Sequence, residues 1–201
     1  MQDAISLILD LEWEAFQAVH NAGGRASCQD DRDTFTIMRK SQFLTWNEEM
    51  LASYLQDLVT AKENDRNLLQ EKYAHMMEHT APKEYGRIKA SLLPVPEQTK
   101  SLADEIVAIQ LEWHRAYART FPKLAVRARP VDRQGEFAGM TSFETYLRGE
   151  LLTYSRNTLD LYAGHVKQQD VQGANMSVQI MENTARMYGY SSAAEAEAAL
   201  G

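Results

Sequence analysis

The only cysteine, Cys28, sits in a turn-rich, charged stretch, Asn21-Ala22-Gly23-Gly24-Arg25-Ala26-Ser27-Cys28-Gln29-Asp30-Asp31-Arg32. A thiol reacts as its thiolate. The guanidinium groups of Arg25 and Arg32 would favour that form, whereas Asp30 and Asp31 would oppose it. Gly23 and Gly24 let backbone approach a ligand closely, and loops carried on rigid elements often hold function. The plainer alternative is an idle cysteine in a loop whose aspartates cap the next helix.

A second constellation is basic. Arg25 lies in the first such loop and Arg127 and Arg129 in a second, between residues 121 and 140. Guanidinium forks grip carboxylates and phosphates bidentately, so Arg25, Arg127 and Arg129, with Asp30 and Asp31 beside them, are the candidate substrate-binding residues. Salt bridges to Asp30, Asp31 and helix-end carbonyls would satisfy the same arginines.

The third constellation is carboxylic. Glu12 falls within an apolar helical stripe, one turn from Ile8 and from Phe16, so it must be paired, hydrogen-bonded or protonated. Glu150 stands among Phe143, Tyr146 and Tyr154. Desolvation there would raise its pKa and suit it to general acid or base work. Cys28, Glu150 and Glu12 are therefore the candidate catalytic residues. Glu12, Glu112 and Glu150 would otherwise fix helix packing by accepting bonds from Tyr or Trp. A two-metal carboxylate site needs Glu-x-x-His spacing. Here His75 precedes Glu78 instead, so no metal ligands are assigned and no motif identifies a cofactor. Trp13, Trp46, Trp113, Met76, Met77, Met181 and Met187 recur at helical spacing and read as core.

These residues must be held by helices. Apolar periodicity predicts helices over about 3–20, 33–61, 67–80, 101–120, 142–169 and 175–188, and a short one over 192–200. No useful strand alternation occurs, so the class is all-α, a bundle of about six main helices. Leu11-Glu12-Trp13 returns at 111–113, Phe35–Trp46 at 143–154 and Met77–Ala81 at 181–185, at separations of 100, 108 and 104. This order predicts an internal duplication of a three-helix unit with a pseudo-two-fold axis: one domain over 1–201, halves 1–81 and 101–188, connector 82–100.

The 201 residues are 44% hydrophobic and 24% charged, as in an ordinary globular domain. A net charge of −7 and a pI near 5.3 argue against nucleic-acid or anionic-membrane partners, which need a basic face. A lone cysteine, no leader and no apolar run of roughly 20 residues predict a cytoplasmic protein.

The strings G-G-R-A-S-C-Q-D-D at 23–31, M-R-K-S-Q-F-L-T-W at 38–46, T-S-F-E-T-Y-L-R-G-E-L-L-T-Y-S at 141–155 and I-M-E-N-T at 180–184 resemble a prokaryotic family known as domain of unknown function forty-one twenty-five. The resemblance implies a compact helical fold and brings no activity, cofactor or catalytic residue. The leading expectation is a small polar or anionic molecule held between the two halves, where the loops after the first helix of each converge. The competing one is a non-catalytic protein-interaction module. A carboxylate metal protein is the third.

Overall fold

The computed structural model of the chain describes residues 2–20, 24–137 and 140–201. Gly23 of the expected glycine pair lies outside them. The helices are α1 (Gln2–Gln17), α2 (Arg32–Phe43), α3 (Glu48–Glu63), α4 (Leu68–Thr80), α5 (Pro82–Ile88), α6 (Glu97–Thr120), α7 (Pro122–Ala125), α8 (Phe143–Leu151), α9 (Arg156–Val171), α10 (Met176–Met187) and α11 (Ala193–Ala199). There is no strand among the described residues, only an isolated bridge between Phe137 and Met140. Among the described residues no helix is long and apolar enough to cross a membrane.

The class is the one periodicity requires, but the two longest expected helices are each broken. The stretch 33–61 divides into α2 and α3, and 142–169 into α8 and α9. Side chains make both corners. Asn47 and Ser155 cap α3 and α9 by accepting from the amides of Met50 and Thr158. Just before them, the hydroxyls of Thr45 and Thr153 each donate to the carbonyl three residues back, at 2.7 Å. Elsewhere caps shift expected starts slightly: Asp31 opens α2, and Ser142 rather than Thr141 opens α8.

Similar contacts recur along the chain. Asn67 caps α4 and donates from Nδ2 to the Ala15 carbonyl at 2.7 Å; Asn175 caps α10 and donates to the Trp113 carbonyl at 2.9 Å. Asp65 and Gly173, 108 residues apart, both take positive φ just before those caps. Phe16 stacks on Phe35 with centroids 5.4 Å apart, and His114 on Phe143 at 4.2 Å. The separation is therefore 108 over α2–α4 and α8–α10 but 98 between α1 and α6. The Leu-Glu-Trp strings, 100 apart, are not equivalent in space. Trp13 packs on Phe16 and Phe35, while the Trp113 indole donates to Asp170 at 3.2 Å. Likewise Gln110, not Glu112, answers Glu12. Glu112 is exposed and pairs with Arg115.

Helices cross between halves: α8 packs on α4, α2 on α10, and α3 on α9. At the shared seam Phe43, Trp46, Tyr54, Tyr154 and Tyr162 join Ile8, Leu51, Ile106 and Leu151 in the main core. Gly149 brings α8 close against α4: a Cβ there would stand 2.7 Å from Met76 Cγ and 3.0 Å from the Lys72 carbonyl oxygen. That approach sets both polar sites described next.

Candidate functional site

Four ionised side chains meet inside the bundle: Glu12 from α1, Arg39 from α2, Lys72 from α4 and Glu150 from α8, all buried. Arg39 grips Glu12 bidentately, with Nε to Oε2 at 2.8 Å and Nη2 to Oε1 at 2.6 Å, and reaches Glu150 at 3.1 and 3.3 Å. Lys72 Nζ donates to Glu150 at 2.5 Å. The hydroxyls of Tyr54 and Tyr154 donate to Glu12 and Glu150 at 2.6 and 2.9 Å. Two cations and two anions balance, and every carboxylate oxygen has a donor, which is the condition for burying charge.

Glu12 therefore has the partner its position demanded, but Glu150 is not the poised acid expected. Burial alone would push its pKa up. The charges of Arg39 and Lys72, with hydrogen bonds from Lys72 and Tyr154, instead hold it well below the usual carboxylate range. At neutral pH it is a fixed anion.

Arg25 and Arg129 are engaged by neighbours close in the chain. Arg25 donates to Asp30 and the Gln29 carbonyl, both at 2.9 Å, and to Gln17. Arg129 donates to Thr141 Oγ1 at 2.7 Å and lies over the Tyr146 ring at 4.4 Å, with Lys72 Nζ 3.4 Å from the same ring. Arg127 is exposed, and so is Cys28. Asp31 is engaged in capping, its carboxyl lowered by bonds from Thr34. Burial, then Tyr146 and Cys28, push the Tyr73 hydroxyl up, while Arg129 and Arg39 act the other way. The arginine clamp itself is not assembled.

The larger cleft lies elsewhere, between α4 of the first half and α6 and α8 of the second, with a volume of 460 Å³. Gly149 lets α8 lie close against α4 along its wall. Met76, Val107, Ala108 and Leu111 make its apolar side. Its polar side carries three carboxylates and two guanidiniums. Arg148 donates from Nε to Asp104 at 2.8 Å and from Nη1 to Glu78 at 3.0 Å. Arg133 Nε lies 3.3 Å from Glu144 but is buried without a hydrogen bond. His79 Nε2 stands 3.7 Å from Glu136, which the Ser142 amide and hydroxyl hold at 2.9 and 2.7 Å.

His75 lines this cleft at 7% exposure, with no hydrogen-bond partner among the described residues. Burial lowers its pKa below 6.5; Glu71 and Glu78 pull the other way without prevailing, and Arg148 adds to the lowering. The ring is neutral at physiological pH, with one nitrogen able to accept and one to donate. Among the described residues, no three His, Cys, Asp or Glu side chains group to hold a metal ion.

A smaller groove of 340 Å³ lies between α1 and α2, lined by Ser6, Leu9, Thr36 and Lys40 among others. No histidine lines it.

None of Cys28, Glu12, Glu150, Arg25, Asp30, Asp31, Arg127 and Arg129 lines the larger cleft. Sequence reasoning missed Arg39, Lys72, His75, Arg133 and Arg148. For Arg39 and Lys72 a signal existed. Arg39 falls at helical spacing between Phe35 and Gln42, and Lys72 between Leu68 and Met76.

No curated protein and no solved structure matches the chain. A family model described as "Protein of unknown function (DUF4125)" matches residues 2–198.

Proposed function

Since the chain belongs to this family of unknown function, DUF4125, we propose a role from the cleft itself: a cytosolic protein that binds a small polar molecule between its halves, with His75 as the contact that accepts or donates a proton. One observation carries the reading. His75 is 7% exposed, has no hydrogen-bond partner among the described residues and lines open volume, so the polar edge of its ring is free to bond a ligand that enters the cleft. The cleft also has the size and the mixed apolar and polar lining of small-molecule sites.

The earlier expectation of a ligand between the halves is kept; the residues holding it change from the arginines of two loops to His75, Arg133 and Arg148. The test is isothermal titration against a metabolite panel, with the NMR signals of the His75 ring followed alongside. A ligand that shifts His75, and whose affinity falls about tenfold or more in His75→Ala, supports the reading. A panel that never moves the His75 ring overturns it.

A protein partner is the second reading, favoured by Val126 and Phe137, 81% and 65% exposed in the loop before α8. Recurrence of the same caps, turns and stacks supports an origin of the two halves in one duplicated unit.

A further inference from the structure

We infer that the cleft takes an amino-acid-like zwitterion with an aliphatic side chain, which rests on the binding role proposed above and specifies its ligand. The charges in the cleft are interleaved, not segregated. Arg148 stands between Asp104 and Glu78, and Arg133 faces Glu144. A simple anion reaching either guanidinium meets a neighbouring carboxylate. A simple cation reaching a carboxylate meets a guanidinium. Such like-sign juxtaposition rejects wrong ligands more effectively than attraction selects right ones.

A molecule with both charges a few bonds apart satisfies the two signs at once. Its carboxylate has donors at hand: Arg148 uses only Nε and Nη1 on its own acids, and the Arg133 side chain, which also lines the cleft, is 36% exposed. Its ammonium has Asp104 and Glu78, whose side chains are 56% and 48% exposed. Exposed pairs are weak, so these acids can turn from Arg148 to a ligand at little cost.

His75 adds an independent pointer. A neutral ring nitrogen accepts a hydrogen bond from an ammonium, and an imidazolium would repel it. Met76, Val107 and Leu111 offer the apolar wall against which a branched aliphatic side chain sheds water.

The experiment is isothermal titration of the full chain with L-leucine, N-acetyl-L-leucine and L-leucinamide, the last below its amine pKa, each followed at the His75 ring by NMR. Leucine is expected to bind about tenfold or more tightly than either singly charged derivative and to shift His75. Asp104→Asn, a change at an exposed side chain that leaves the fold intact, is expected to erase leucine's advantage over N-acetyl-leucine. A derivative that shifts His75 and binds as tightly as leucine overturns the zwitterion and leaves the cleft reading standing. Leucine binding without moving His75 places the ligand elsewhere and counts against both. Binding by none of the three overturns the zwitterion alone, since the wider panel decides the cleft.

Discussion

Gln42 and Glu150 stand 108 residues apart at matching positions of α2 and α8, and they touch: Gln42 Nε2 donates to Glu150 Oε1 at 3.3 Å. The next pair along, Trp46 and Tyr154, also meets, with ring centroids 6.1 Å apart. Around them contacts exchange in kind, Trp46 with Tyr162 and Tyr54 with Tyr154, each at 5.2 Å. The polar seam and the aromatic core therefore share one line through the molecule. Its only strong asymmetry is chemical: Glu150 answers a glutamine, Leu147 answers Arg39, and Ile180 answers Lys72. Glu12, Arg39 and Lys72 lie on one side of the seam and Glu150 on the other, and Arg39 and Lys72 bond across it to Glu150, so the four are a unit that stands or falls together.

Arg39→Met tests that unit. It removes the guanidinium shared by both carboxylates and leaves Glu12 buried with only the Tyr54 hydroxyl, so stability should fall by about 3–5 kcal/mol. Urea unfolding of the wild type and the variant measures it. The double variant Glu12→Leu with Arg39→Met should recover part of the loss, because no unpaired carboxylate is then left at that end. A single-variant loss below about 1 kcal/mol would mean that water already reaches the group.

Glu150 sets an acid limb. Its folded pKa is depressed, so its contribution is fully present above the ordinary glutamate value of about 4.3 and is lost as pH falls towards the lower folded value. Glu150→Gln should thus be less stable than wild type at neutral pH, with the gap narrowing as the solution is acidified. Denaturant unfolding at a series of pH values gives the two curves. Parallel curves through the acid range would show that the carboxyl has the same pKa folded and unfolded.

Much of this architecture is legible in the sequence and some is hidden for identifiable reasons. Ile8 and Ile106 announce inner faces through spacing alone, and Glu12 announces that it needs a partner. The corners after α2 and α8 pass unseen, because Leu44–Asn47 and Leu152–Ser155 contain no glycine or proline. A capping side chain stops those helices, and such a stop is weak against uninterrupted apolar periodicity. The matched letters at Leu11–Trp13 and 111–113 mislead by two positions, since contacts, not letters, define the equivalent place: His114 answers Phe16 as a flat ring. His75 and Arg148 come together only because α4 crosses to the other half, and no local pattern encodes that crossing.

Two buried histidines should titrate below the ordinary imidazole value. His114, stacked on Phe143, is pushed down by burial to about 4, and His75 lies below 6.5. For His114 the folded pKa is depressed, so its stabilising contribution is present above 6.5 and is lost as pH falls from there towards about 4. Ring-proton NMR in the free protein reads both midpoints. A His75 midpoint at or above 6.5 would show the ring hydrated or paired and remove the basis for its role in the cleft.

The turn before α4 gives a local check. Asp65 is held at φ 54°, where its counterpart 108 residues on is Gly173 at φ 69°. A non-glycine residue there carries strain of roughly 1–2 kcal/mol. Asp65→Gly should therefore raise the unfolding midpoint, while Gly173→Ala should lower it. Equal and negligible effects would mean that these turns relax freely.

Gly149 and Gly164 separate close packing from intrinsic helix preference. Both lie inside helices of the second half, but a Cβ at Gly149 would meet Met76 Cγ at 2.7 Å and the Lys72 carbonyl oxygen at 3.0 Å, whereas at Gly164 nothing stands within 4 Å. Alanine at position 164 only reduces the freedom of the unfolded chain, a gain of about 0.4–1 kcal/mol. Alanine at 149 must push α8 from α4, a loss of about 1–3 kcal/mol. The same displacement lengthens the Lys72–Glu150 bond and widens the cleft beside His75, so Gly149→Ala should weaken ligand binding and flatten the acid limb, because Glu150 loses part of what depresses its pKa, and Gly164→Ala should do neither. Thermal unfolding and titration of both variants make the comparison, and a stabilised Gly149→Ala would show that the helices have room to part without cost.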